Sequence, residues 1–170
     1  MSLTPTPVKT GDDARRVIVA LCKLFYEKGW VSGTGGGISI RLDDRVYMAP
    51  SGIQKEMIQP EWIYELDLDG EVLKGPPKEL GFNVSQCRPL FLAAMKLRGA
   101  GAVVHSHSRT VVQAAALAEK RNRSHIALTR LEMLKGLKGG ACDDRQEGPV
   151  IPNTALEGDL TDLLTEAIDK

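Results

Sequence analysis

The hydrophobic positions change period several times along the chain, and each change marks an element. Val17, Leu21, Leu24 and Phe25 recur at helical spacing. Thr10 ahead of them is a good N-cap, and Asp12 and Asp13 suit the positive end of a helix dipole. The pattern predicts an amphipathic helix over roughly residues 11–28, stopped by Gly29 and preceded by a loose lead-in at residues 1–9. After Gly33-Thr34-Gly35-Gly36-Gly37 the period drops to two. Ile38, Ile40 and Leu42 alternate, Asp43-Asp44 interrupts, and Val46 and Met48 resume, which predicts a β-hairpin closed by Pro50-Ser51-Gly52. A second hairpin is expected at 63–68 and 71–73, turned by Asp69-Gly70, followed by a Gly/Pro loop to Phe82.

Helical spacing returns near Ser85, with Leu90, Phe91, Ala94 and Met95 inward and Gly99 and Gly101 ending the run. Ala102-Val103-Val104 is a short apolar run leading into His105, the pattern of a buried strand. An alanine-rich helix is expected at 110–118, a basic polar surface loop at 119–125, and a short helix around 131–137 before Gly139-Gly140. A final amphipathic helix at 159–168 carries Leu160, Leu163, Leu164 and Ala167 on one side. Helices alternating with antiparallel-type strands predict an α/β class: a single three-layer α/β/α domain over residues 10–170 with a mostly antiparallel central sheet.

Charge narrows the function. Lys+Arg and Asp+Glu are both 22, so the net charge is zero, which argues against charge-driven nucleic-acid binding. No apolar run approaches the roughly 18–20 residues that span a bilayer, and no basic segment followed by an apolar one marks a signal peptide. Cys22, Cys87 and Cys142 are odd in number and far apart, which fits a reducing cytoplasm better than a disulfide framework. The expected partner is a small molecule, with no nucleic acid and no membrane.

Several residues are candidates for chemistry. On a strand, His105 and His107 point to the same face, a spacing that suits two ligands of one zinc ion; two surface histidines at a strand end are the alternative. Gly35, Gly36 and Gly37 offer backbone N–H groups to an anion, or form a flexible connection. Ser51-Gly52 and Ser85-Gln86 are similar anion-site candidates, and Lys55 adds a charge. Cys87, near a helix start, is either a reactive thiol or a small buried apolar residue. Glu132 is either a general base or a solvated carboxylate paired with Arg130 or Lys135.

Five segments together carry a resemblance: GWVSGTGGGISI (29–40), APSGIQKEMIQPE (49–61), SQCRPLF (85–91), RGAGAVVHSHS (98–108) and EMLKGLK (132–138). They run in the order found in the class II aldolase/adducin family, and the chain resembles most the branch that dehydrates 5-methylthioribulose 1-phosphate in methionine salvage. The resemblance implies that His105 and His107 are zinc ligands, that Glu132 is the catalytic acid/base and that Cys87 contacts substrate. It implies phosphate-binding loops at Gly35–Gly37, Ser51-Gly52 and Ser85-Gln86. Related aldolases resemble this pattern with Glu at the position of Cys87, so Cys87 favours the dehydratase over an aldolase or epimerase. The resemblance further implies a homotetramer acting on a sugar phosphate in the cytoplasm. The family draws a third zinc histidine from a later Arg-His-Gly strand. No histidine follows His125 here, so the resemblance implies a member lacking the C-terminal strand and helix, and leaves a silent adducin-like interaction module as an alternative.

Overall fold

The computed structural model describes residues 7–137 and 140–169. Contacts divide them into two compact units, one running to Ser108 and resuming at Thr154, the other lying between Arg109 and Asn153. Most of the expected lead-in, residues 1–6, lies outside the described residues, as do Lys138, Gly139 and Lys170.

The first unit begins with α1 (Gly11–Glu27). Its capping box is complete: Asp13 N–H donates to the Thr10 hydroxyl, and the Asp13 carboxylate accepts from the Thr10 N–H. Five strands follow in the first unit, β1 (Gly37–Leu42), β2 (Arg45–Met48), β3 (Tyr64–Leu66), β4 (Val72–Lys74) and β5 (Ala102–His105). Their order in the sheet is β4-β3-β2-β1-β5, and every pairing is antiparallel. Between β4 and β5 lies α2 (Arg88–Arg98), and α4 (Thr161–Asp169) closes the chain. The first expected hairpin turns at Asp43-Asp44; the second turns at Leu68-Asp69, one residue before the expected Asp69-Gly70, with Gly70 N–H donating to Asp67 O at 3.2 Å. The second helix starts three residues later than Ser85, with Pro89 in its first turn, where a missing N–H costs nothing.

Period-two alternation builds the layers. Ile38, Ile40 and Tyr47 face α1 and pack on Ala14, Ile18, Cys22 and Phe25. Val46, Met48 and Leu66 face the other way, against Leu90, Phe91 and Met95 of α2, with Leu160 and Leu164 packed on the same cluster. Helix, sheet and helix thus form the expected α/β/α arrangement. Arg15 latches α1 to the sheet: its guanidinium donates to Ile63 O at 2.6 Å and to the Glu65 carboxylate at 2.7 Å.

One strand differs from expectation. The apolar run at 102–104 reads as fully buried, yet β5 is an edge strand that pairs with β1. Val103 joins the α2 cluster, while Val104, on the opposite face, is 50% exposed.

The second unit contains α3 (Arg109–Lys120) and a two-stranded antiparallel sheet of β6 (His125–Thr129) and β7 (Arg145–Pro149), in register from His125↔Pro149 to Thr129↔Arg145. Neither strand is among the expected elements, although β6 carries the short apolar run Ile126-Ala127-Leu128. Residues Arg145–Pro149 show no apolar alternation, and the pairing rests on backbone hydrogen bonds. The short helix expected near 131–137 is a 3-10 helix, Glu132–Gly136.

Candidate active site

β1 and β5 bring the glycine loop and the histidines together, because Gly37 pairs directly with His105. His105 lies two residues beyond Val103 and so emerges on the α2 face of the sheet. There it meets Cys87, the residue preceding the first turn of α2. Cys87 Sγ lies 3.1 Å from His105 Nδ1, and the thiol donates to Glu157 Oε2 at 2.7 Å.

Backbone contacts hold the histidine segment. His107 N–H donates to Trp30 O at 2.7 Å, and the Ser106 hydroxyl donates to the same oxygen at 3.0 Å. The His105 and His107 rings lie 4.6 Å apart, centroid to centroid, tilted by 46°. Gly36 makes this approach possible. Its φ is +73°, and a Cβ there would sit 2.6 Å from Val31 Cγ1 and 2.9 Å from His105 O.

The three anion-site candidates converge. A cavity of about 210 Å³ is lined by Thr34, Gly35, Gly36, Ser51, Lys55, Ser85, Gln86, Cys87 and Glu157. Ser51 is positioned by an isolated β-bridge to Asn83, and the Ser85 hydroxyl accepts from Cys87 N–H at 3.2 Å. Lys55 is 2% exposed, and its ammonium donates to Thr34 O at 2.7 Å, Pro50 O at 3.3 Å and Ile53 O at 3.4 Å. It clamps the glycine loop to the 50–53 turn and brings a positive charge to the cavity wall. Gly37 and Gly52 flank this cavity without lining it.

Burial sets the proton affinities. It pushes the Cys87 thiol up to about 12, helped by the hydrogen bond to Glu157. It holds His105 below the usual imidazole range, with neighbouring His107 as the second cause. It lowers Lys55 as well. A neutral imidazole is the form that ligates a metal. Among the described residues, the donor atoms that gather within 4.8 Å of one another are those of Cys87, His105 and Glu157.

Glu157 is the residue that sequence reasoning missed. It sits in Leu156-Glu157-Gly158-Asp159-Leu160, where nothing local separates it from its acidic neighbour. Glu132 lies in the second unit, exposed, with its carboxylate accepting from Lys135 Nζ at 2.7 Å. That ion pair is the solvated alternative raised by the sequence.

Residues 16–170 match the family model described as the Class II Aldolase and Adducin N-terminal domain. The chain belongs to the class II aldolase and adducin family. It is 44% identical over 162 residues to methylthioribulose-1-phosphate dehydratase of Homo sapiens, covering 92% of this chain and 66% of that protein. It is 43% identical over 164 residues to methylthioribulose-1-phosphate dehydratase of Danio rerio, covering 93% of this chain and 67% of that one. The chain thus spans about two thirds of the length of these two relatives. Among solved structures, the L-fuculose-1-phosphate aldolase of Thermus thermophilus shares the class II aldolase fold, with a TM-score of 0.65 at 24% identity over 92% of this chain and 71% of that one. Among the described residues, no helix is long and apolar enough to cross a membrane.

Proposed function

We propose that the chain is a methylthioribulose-1-phosphate dehydratase, a lyase that removes water from 5-methylthioribulose 1-phosphate to give 2,3-diketo-5-methylthiopentyl 1-phosphate in methionine salvage. One observation carries the reading. The separate segments around Gly35-Gly36, Ser51 and Ser85-Gln86, each a candidate anion contact, line a single cavity that also reaches Cys87, the neighbour of His105. The relatives' identity of about 44% names the reaction.

The substrate has a dianionic phosphate at one end and a ketose carbonyl near it. The N–H group of Gly36 and the hydroxyls of Ser51 and Ser85 suit the phosphate, and the Lys55 charge favours it. Holding that remote group orients the reacting carbons. Cys87 then borders the sugar.

The residues fit a divalent metal such as zinc: His105, its imidazole favoured in the neutral form, stands beside a thiol and a carboxylate, and the His107 ring lies 4.6 Å from its own. His105 and His107 would hold it, and when bound it supplies Lewis-acid polarisation of the substrate carbonyl. Glu132 is the acid/base in this reading. Its carboxylate takes the C3 proton and returns a proton to the C4 hydroxyl, which leaves as water. The resulting enol becomes the 2,3-diketone. The same reading gives a cytoplasmic homotetramer.

The test is zinc-loaded protein incubated with 5-methylthioribulose 1-phosphate and followed by NMR. The expected result is the diketone, with Glu132→Gln slowing its formation by roughly 10²–10⁴-fold. Cleavage of a carbon–carbon bond without water loss would move the chain to the aldolase reading. No turnover with any ketose phosphate would favour the silent module.

A further inference from the structure

We propose that Tyr64 is a positioning residue for the phosphate cradle: its hydroxyl holds the segment that keeps Ser51 and Ser85 at one cavity wall. The inference rests on the phosphate reading above and adds a residue that lies outside the cavity lining.

Tyr64 opens β3 and is buried, with its ring in the α2 cluster. From there it meets both ends of the Gly/Pro loop. At the start of the loop, a Cβ on Gly75 would sit 2.7 Å from Tyr64 Cε1, so the missing side chain lets the backbone pass against the ring. At the end of the loop, the Tyr64 hydroxyl donates to Phe82 O at 2.9 Å. Burial raises the phenol above its ordinary range, which keeps it protonated and able to donate. The Phe82 ring packs on Trp62, with centroids 5.3 Å apart. Phe82 is thus tied through its carbonyl and through its ring.

The next residue carries that tie into the cavity. Ser51 N–H donates to Asn83 O at 2.8 Å, and Asn83 N–H donates to Ser51 O at 3.3 Å, which makes the isolated β-bridge. Val84 then packs on the α2 cluster, and Ser85 follows at the cavity wall with Ser51. The separation of the two serine hydroxyls therefore depends on where Phe82 and Asn83 lie. Removing the phenol oxygen frees the Phe82 carbonyl while the ring and its packing stay. The effect should fall on anion binding through a less constrained bridge, since a preorganised cradle binds more tightly than one that must be ordered by its ligand.

Tyr64→Phe removes the hydroxyl and keeps the ring. Calorimetry with inorganic phosphate should show affinity reduced by roughly three- to tenfold, the size of one lost hydrogen bond. Tyr47→Phe removes a hydroxyl on the α1 face of the sheet and should bind phosphate like wild type. Amide hydrogen exchange in Tyr64→Phe should quicken at Ser51 and Asn83 and stay unchanged at Ile40 in β1. Unchanged phosphate affinity in Tyr64→Phe would overturn the proposal, and so would a loss of affinity without faster exchange at Ser51. An equal loss in Tyr47→Phe would reveal a general effect of losing a buried hydroxyl and would overturn it too. A wild-type chain that does not bind phosphate would overturn the phosphate reading itself, and this proposal with it.

Discussion

Cys87 and Glu157 stand 70 positions apart and meet through a thiol-to-carboxylate hydrogen bond of 2.7 Å. The contact joins the start of α2 to the segment that leads into α4, and it depends on the apolar packing of α4 rather than on any local preference. The site is thus an outcome of core packing, and its properties can be tested from the core outward.

Ile18 is fully buried between α1 and the sheet. Ile18→Ala removes buried methyl groups and leaves a cavity, so unfolding in urea should show a loss of about 2–5 kcal/mol. A loss below about 1 kcal/mol would mean that α1 does not pack on the sheet as described.

Gly36 and Gly33 both have positive φ, but they differ in surroundings. A Cβ at Gly33 meets nothing within 4 Å, whereas at Gly36 it collides with Val31 and with the carbonyl of His105. Gly33→Ala should cost about 1 kcal/mol from the backbone alone. Gly36→Ala should cost more and also weaken zinc uptake, because the His105 backbone must shift. Equal effects of the two substitutions on zinc uptake would contradict this.

Asp13 is held near pKa 2, first by the Thr10 hydroxyl, then by Arg16 and by the Lys9 backbone N–H. A depressed carboxylate adds stability that is fully present above its ordinary value of 3.8 and is lost as pH falls through about 2. Wild type should therefore exceed Asp13→Asn in Tm at neutral pH, and the gap should close between roughly pH 4 and pH 2. A gap independent of pH would show that the capping box works without the charge. Thr10→Ala, which removes the cap itself, should cost about 1 kcal/mol.

Cys22 is fully buried, and burial pushes its thiol up to about 11. Cys142 is partly exposed. Iodoacetamide at mildly alkaline pH should label Cys142 quickly and Cys22 only on unfolding, as mass spectrometry of tryptic peptides would show. Early labelling of Cys22 would mean that α1 detaches readily.

Lys55 lines the cavity wall, and its ammonium donates to three carbonyl oxygens. Lys55→Met keeps the length and removes the charge. Affinity for inorganic phosphate, measured by calorimetry, should fall by roughly tenfold or more, as loss of a charged partner predicts. Unchanged affinity would take Lys55 out of the phosphate site.

Much of this arrangement is legible residue by residue. The hairpin at Ile38–Met48 follows from alternation and the Asp43-Asp44 turn, and α1 follows from Thr10, the acidic first turn and the apolar spacing. The Gly35–Gly37, Ser51 and Ser85 segments are visible as possible anion contacts because their chemistry is local. The β6–β7 pair is not legible, because Arg145–Pro149 has no apolar pattern and is matched to His125–Thr129 through the backbone. The edge position of β5 is not legible either: an apolar run reports hydrophobicity but not the number of strands beside it.

Much local order therefore came from the sequence alone: the cap and span of α1, the Asp43-Asp44 turn, the two faces of β1 and β2, and the residue types able to bind phosphate or metal. These depend on interactions within a few positions, which a linear pattern records. Only the tertiary structure decided that Lys55 is buried beneath the glycine loop, that Cys87 touches His105, and that Glu157 joins them. Those contacts arise from how α2 and α4 share one apolar cluster on the sheet, and packing between distant segments leaves no mark at any single position.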